Sequence, residues 1–230
     1  MHIALIPDGN RRYMRKKGAL NLKNSYQEGI SHFFDFVNWC RELGVNQVTI
    51  YALSLENIGN RDKSEIETLF RVFNEQAEKA MGDKRIMKEG VKVNVCGDRD
   101  TIRSTATNPG LGGKLIDNLE KLEEKTRDHD KLVLNLAMGY GGRQEIINAA
   151  KKVVEEGLEL NDKNIESNLW VKDNPDIIIR TSEDRLSNFL TWQSAYSEIY
   201  FSDKLWQEFT REDLEKIISD FKSRERRFGR

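Results

Sequence analysis

Residues 3–17 read Ile3-Ala4-Leu5-Ile6-Pro7-Asp8-Gly9-Asn10-Arg11-Arg12-Tyr13-Met14-Arg15-Lys16-Lys17. Four unbroken apolar residues ended by Pro-Asp-Gly predict a buried strand that stops at a turn. In open α/β sheets, ligands gather beyond the carboxyl ends of the strands. An aspartate placed there can hold Mg²⁺. A glycine lets the backbone approach a phosphate, and the first turn of a following helix offers it N–H groups. Asp8, Gly9, Asn10 and the arginines after them supply all three features. The same residues would also serve as a tight turn into a solvated basic helix, and a short turn motif does not choose between the two.

Outward from this stretch the pattern recurs. Val48 to Leu53 is a β-branched strand followed by Ser54-Leu55-Glu56-Asn57. Leu132 to Ala137 is another, followed by the turn Gly139-Tyr140-Gly141-Gly142-Arg143, whose glycines lack the phosphate-loop spacing. Asp176 to Arg180 leads into Thr181, Ser182, Arg185 and Ser187, where two arginines among hydroxyls suit a diphosphate. Val91 to Cys96 ends in Gly97-Asp98. Between the strands lie helical patterns. Ser25 and Glu28 have capping-box spacing before Ile30, Phe33, Phe34, Val37 and Cys40. Ile66, Leu69, Phe70, Phe73, Ala77, Ala80 and Met81 mark a long helix with an aromatic face, suited to a core or to an apolar tunnel wall. Leu115 to Leu122 and Ile146 to Val154 mark two more, and Thr210 with Asp213 caps a last helix. Residues 105–113 read as a surface loop, and the aromatic stretch 189–201 shows no strand pattern. Strands alternating with helices predict an α/β fold: a mainly parallel central sheet with helices on both faces. The polar clusters after Ile6, Leu53, Ala137 and Ile179 then share one edge of that sheet.

The length of 230 residues suits one domain spanning 1–230. A third of the residues are charged, yet the net charge is −1, which argues against general nucleic-acid binding. No run of 18 apolar residues predicts a membrane span, and no leader segment is expected before the first strand. A cytoplasmic location is expected. Cys40 and Cys96 lie in apolar patterns as buried thiols, and the three histidines lack metal-ligand spacing.

Taken together, Pro7-Asp8-Gly9-Asn10-Arg11-Arg12, Ser54-Leu55-Glu56-Asn57, Tyr140-Gly141-Gly142-Arg143, Ile179-Arg180-Thr181-Ser182, Arg185-Leu186-Ser187-Asn188-Phe189, the stretch from Trp192 to Glu198, and Arg224-Glu225-Arg226-Arg227-Phe228-Gly229 resemble the cis-prenyltransferase family, in its motif order and over almost the whole chain. The resemblance implies a homodimer of α/β subunits with an apolar tunnel, in which an allylic diphosphate is condensed with isopentenyl diphosphate. It implies that Asp8 binds Mg²⁺ and assists departure of the allylic diphosphate, and that Glu198 assists the metal. Gly9, Asn10, Arg11 and Arg12 would hold the allylic diphosphate, and Arg61 is expected among the substrate-binding residues. Arg180, Arg185 and Ser187 would hold isopentenyl diphosphate, with Asn57 near the reacting carbons. Arg227 and Gly229 would reach the partner subunit's site. Phe70, Phe73 and Leu134 would close the tunnel, and the lipid product implies peripheral membrane contact.

The chain departs from the family pattern at several points. Arg11 stands where most bacterial members have glycine, as in archaeal-type members, and Tyr13 where they have tryptophan. The usual arginine and histidine are missing around Asn21 to Tyr26. Ile58 replaces another tryptophan, with Gly59 inserted beyond it. The segment from Arg180 to Arg185 is one residue short, lacks a glycine, and has Asp184 in place of histidine. The altered sites leave two alternatives: a different acceptor (an allylic diphosphate joined other than head to tail, or a prenyl alcohol hydroxyl), and a non-catalytic subunit of a heteromeric synthase.

Overall fold

A computed structural model of the chain describes residues 1–18, 21–82, 89–105 and 110–224. Six strands, β1 (His2–Ile6), β2 (Gln47–Ser54), β3 (Val91–Cys96), β4 (Leu132–Tyr140), β5 (Ile177–Thr181) and β6 (Glu198–Ser202), form one sheet in the order β3-β4-β2-β1-β5-β6. Every neighbouring pair is parallel. The helices are α1 (Asn10–Lys17), α2 (Leu22–Glu42), α3 (Leu55–Asn60), α4 (Lys63–Gly82), α5 (Arg99–Ser104), α6 (Leu111–Thr126), α7 (Gly142–Glu155), α8 (Asp162–Asn168) and α9 (Arg211–Ser223).

β1 lies between β2 and β5, where the order of the sheet reverses. Such a switch point opens a crevice beyond the carboxyl end of the strand, so Asp8 falls at the fold's natural ligand position. Burial on both sides explains why β1 is apolar throughout rather than alternating. Ile3 and Leu5 join a core with Phe36, Val48, Ile179 and Trp206, while Ala4 and Ile6 join the opposite one with Tyr140, Ile178 and Phe189.

Four sequence expectations are corrected. Glu198–Ser202 is a sixth strand, and its half-exposed alternation at the sheet edge hid it among aromatics. Ser25 does not cap α2: Asn21 does, accepting from the Asn24 N–H, while the Ser25 hydroxyl donates to the Asn10 carbonyl at 2.9 Å. The expected loop 105–113 gives way at Leu111 to α6. A Cβ on its Gly112 would lie 2.1 Å from the Ile102 carbonyl oxygen, so that glycine permits close packing on α5 rather than a turn. β4 continues three residues past Ala137 to Tyr140, which is fully buried. Cys40 and Cys96 are free, buried thiols, and burial pushes both pKa values up.

His2 gives a stability prediction. Burial lowers its pKa to about 4, while its Nε2 lies 2.7 Å from the Thr49 hydroxyl. The unfolded chain, with an ordinary value of 6.5, binds the proton more tightly, so stability is fully present above pH 6.5 and is lost as pH falls toward 4. The difference is on the order of 3 kcal/mol. In thermal melts between pH 7 and 4, the stability of the wild type relative to His2→Gln should fall by on the order of 3 kcal/mol, because glutamine does not titrate.

Candidate active site

β1 ends at Ile6, and the turn after it is locked from the β5 side. The Asp8 N–H donates to the Thr181 hydroxyl at 2.9 Å, and that hydroxyl donates back to the Asp8 carbonyl at 2.8 Å. The Trp206 N–H donates to the same carbonyl at 3.0 Å. Gly9 has φ +106°, and a Cβ there would meet the Ser182 hydroxyl at 2.5 Å, so only glycine fits. α1 starts at once, and its first-turn N–H groups have no intrahelical carbonyl to pair with. The Asn10 Oδ1 accepts from Gln207 at 2.7 Å, and its Nδ2 donates to the Pro7 carbonyl at 3.4 Å.

The Asp8 carboxylate faces the cavity. Its Oδ1 accepts the Gly9 N–H at 2.6 Å, and its Oδ2 accepts Arg180 Nη2 at 2.8 Å. Arg180 is 3 % exposed. Its Nη1 donates to the Ser187 hydroxyl at 2.6 Å and to the Arg185 carbonyl, while its Nε is buried without a partner. Asp8, Arg180 and Ser187 thus form one connected group.

Two further arginine pairs flank it, each held by a glutamate. Glu65 receives Arg11 through both oxygens at 3.1 and 2.6 Å, Arg61 at 3.0 Å and the Tyr26 hydroxyl at 2.7 Å. Burial opposes ionisation of Glu65, but the hydrogen bonds from Arg11 and Tyr26 and the charge of Arg61 outweigh it and hold the carboxyl below its usual range. Burial also pushes the Tyr26 phenol up to about 12. Glu183 receives Arg12 at 2.9 Å and Arg185 at 2.7 Å. Arg11, Arg12, Arg61, Arg180 and Arg185 face Asp8, Glu65 and Glu183, leaving a surplus of two positive charges at the mouth, as an anion site requires.

From this mouth a cavity of about 1640 Å³ runs between α2, α4 and the sheet. Asn57, Arg61 and Arg143 line its polar end, and Val37, Phe73, Ala77, Leu119 and Leu134 its apolar depth. Phe73 and Leu134 are wall residues as expected. Phe70 is not: it is fully buried in the packing between α4 and α6, within 3.4 Å of where a Gly112 Cβ would lie.

Glu198 is placed apart from the other expected site residues of its own protomer. It pairs with Ile177, which pairs with Ile3, so it stands level with Ile3 at the amino edge of the sheet. Asp8 lies five residues further along, about 16 Å at the usual rise per residue. Glu198 is engaged with Arg224 at 3.3 Å and the Tyr200 hydroxyl at 3.1 Å, and it is no neighbour of Asp8 within the protomer. Arg227 and Gly229 lie outside the described residues. Glu65, Tyr26, Glu183 and Arg143 were not singled out from sequence as site residues. The Arg61–Glu65 spacing of four was an available signal, although Arg61 is extended and lies just before α4 rather than on it.

Among the described residues, no three His, Cys, Asp or Glu side chains converge on one point. A lone cavity-facing carboxylate beside an anion site fits Mg²⁺, which keeps several waters and is commonly held by one or two carboxylates plus substrate phosphates. The residues from 182 to 190 carry every positive φ outside glycine among the described residues: Ser182 (69°), Ser187 (49°), Asn188 (63°) and Leu190 (46°). Such conformations cost on the order of 1–3 kcal/mol each and concentrate at functional sites.

A family model described as putative undecaprenyl diphosphate synthase matches residues 6–229. An isoprenyl transferase from Thermus thermophilus is 39 % identical, covering all of this chain and 88 % of its own length. A geranylgeranyl-diphosphate-specific tritrans,polycis-undecaprenyl-diphosphate synthase from Pyrobaculum aerophilum is also 39 % identical, covering all of this chain and 95 % of its own. The crystal structure of a probable undecaprenyl diphosphate synthase from Campylobacter jejuni superposes with a TM-score of 0.82 at 33 % identity, over 100 % of this chain and 98 % of that one. That of lavandulyl diphosphate synthase from Lavandula x intermedia, in complex with dimethylallyl diphosphate, gives 0.85 at 28 % identity with the same coverage. With the parallel sheet, the arginine-rich mouth and the apolar cavity in place, the chain belongs to the cis-prenyltransferases, the undecaprenyl diphosphate synthase family of prenyl-transferring enzymes.

Proposed function

We propose that this enzyme condenses an allylic prenyl diphosphate with isopentenyl diphosphate to give a longer prenyl diphosphate, with Mg²⁺ as cofactor. One observation carries the reading: the Asp8–Arg180 pair stands where an anion-binding mouth meets a long apolar cavity. Arg11, Arg12 and Arg61, with the Asn10 backbone amide and the close backbone approach that Gly9 permits, hold the allylic diphosphate, and Arg180, Arg185 and Ser187 hold that of isopentenyl diphosphate. Asn57, which lines the cavity, would lie near the reacting carbons. The allylic carbon–oxygen bond breaks, the diphosphate leaves with the electron pair, and the new carbon–carbon bond forms as the isopentenyl unit loses a proton. The arginines stabilise the departing anion, while the apolar walls bind the chain and keep water from the allylic cation. Asp8 would hold Mg²⁺, which when bound supplies further charge neutralisation on the leaving group.

The enzyme is proposed to work as a homodimer. Edge strand β6 turns Ile199 and Phe201 outward, 40 % and 45 % exposed, with Tyr196 beside them at 75 %. An apolar edge strand needs a cover, and a second copy is the occupant proposed here. The tail would then carry Arg227 and Gly229 toward the partner's site. Among the described residues no helix is long and apolar enough to cross a membrane. A cytoplasmic enzyme meeting membranes through its lipid product is the corresponding proposal.

The shortened segment from Arg180 to Arg185 favours a second reading, in which the acceptor is another allylic diphosphate or a prenyl alcohol. Product analysis decides between them. Purified protein with Mg²⁺ and an allylic diphosphate should elongate it only when isopentenyl diphosphate is present. Coupled products formed without it, or an ether formed from added prenyl alcohol, would replace the first reading with the second.

A further inference from the structure

Arg180, Arg12 and Tyr51 each hold part of the strained segment 182–190, and Asn188 clasps it to the neighbouring loops. Asn188, itself left-handed, donates from Nδ2 to Glu56 Oε1 at 2.6 Å, and its Oδ1 accepts the Arg143 N–H at 2.9 Å. Its carbonyl accepts the Gly142 N–H at 2.7 Å. The Tyr51 hydroxyl lies 3.4 Å from the Ser187 carbonyl just before it. Asn188 therefore ties together the chain segments that follow β2, β4 and β5, and Glu56 is the only charged group in the clasp among the described residues. The residue before Asn188 is Ser187, whose hydroxyl meets Arg180.

We propose that Glu56 and Asn188 are positioning residues for the second substrate. The clasp keeps Ser187 and Arg185 in a backbone conformation the loop would otherwise leave, so that hydroxyl and guanidinium stand ready for a diphosphate. Neither side chain is assigned a part in the chemistry. Coulomb attraction cannot be the role of Glu56, because a carboxylate at an anion site repels the ligand. Its contribution has to come through the hydrogen bond to Asn188. The inference rests on the reading that Arg180, Arg185 and Ser187 take isopentenyl diphosphate.

The test compares Glu56→Ala, Glu56→Gln and Asn188→Gly. Glu56→Ala should raise the KM for isopentenyl diphosphate about tenfold, roughly the worth of one charged hydrogen bond. The KM for the allylic diphosphate should stay within about threefold, since Glu65 holds Arg11 and Arg61 independently. Glu56→Gln keeps an oxygen acceptor for Asn188 and should restore the wild-type value. Asn188→Gly keeps the left-handed backbone but loses the side-chain clasp, and should behave like Glu56→Ala. Hydrogen–deuterium exchange of peptides covering 184–191 should rise in Glu56→Ala and Asn188→Gly but not in Glu56→Gln. Unchanged exchange, or an equal rise in both KM values, would overturn the proposal. If the wild type does not use isopentenyl diphosphate at all, the functional reading fails instead, and the exchange experiment still reads the clasp.

Discussion

Asp8→Ala is expected to lower turnover at saturating substrates by about 10²–10³-fold or more while the protein stays folded. The kinetic side follows from position. Asp8 supplies the carboxylate at the meeting point of the two arginine groups, and removing a preorganised charge-stabilising group typically costs about 10²–10³ in rate. The structural side follows from the bonds that survive. Thr181 and Trp206 hold Asp8 through its backbone, and those bonds do not depend on the side chain. The carboxylate is 41 % exposed, so its ion pair with Arg180 is screened and worth about 1 kcal/mol at most. Asp8→Asn keeps the side-chain volume but removes the charge, and its single amide oxygen can accept from only one of Gly9 and Arg180. A comparably deep loss in Asp8→Asn would trace the effect to the carboxylate rather than to lost volume. Steady-state rates and thermal melts on the same preparations make the check, and near-normal turnover in Asp8→Ala would remove Asp8 from the mechanism.

The elements that were legible in the sequence are those whose pattern is set by local burial. β1, β2 and β5 are short apolar runs stopped by turn residues, β3 alternates apolar with polar residues, and the core faces of α2, α4 and α6 recur at helical spacing. Convergence of the polar clusters followed from the parallel sheet alone. What escaped reading depends on contacts distant in the chain. β6 escaped because its exposed positions, Ile199 and Phe201, are apolar while Glu198 and Ser202 are less exposed, the reverse of the usual pattern. Gly112 looks like a loop residue unless its approach to Ile102 is known. Asn21 and Ser25 are equally good capping residues, and only the contact of Ser25 with Asn10 chooses between them. Phe70 and Phe73 lie three apart on one helix, yet one packs against α6 and the other faces the cavity. Glu198 followed a motif order that says nothing of strand register, and the register puts it at the amino edge. Glu65 was invisible because its role is to hold arginines rather than to face the cavity, and the side-chain bonds that reveal this join residues up to 54 positions apart.

Arg180→Gln should be the second deeply impaired variant, and it distinguishes the two diphosphate subsites. Arg180 is buried and bridges Asp8, Ser187 and the Arg185 carbonyl, so its loss leaves three acceptors short of a donor. Because Asp8 is partly solvated, the stability loss should be about 1–3 kcal/mol rather than that of a fully buried broken pair. For catalysis the guanidinium is a two-pronged donor to a diphosphate, and losing two charge-assisted hydrogen bonds costs on the order of 3–5 kcal/mol, or roughly 10²–10⁴ in kcat/KM for isopentenyl diphosphate. Arg180→Lys keeps the charge but not the fork, and should recover only part of that loss. The variant also frees the Asp8 oxygen that Arg180 occupies. Half-maximal activity should then be reached at a lower Mg²⁺ concentration than in the wild type, even though the maximal rate is smaller. Titrating Mg²⁺ at fixed substrates measures this. If the variant instead raised the KM for the allylic diphosphate and spared that for isopentenyl diphosphate, the assignment of the two arginine groups would have to be exchanged.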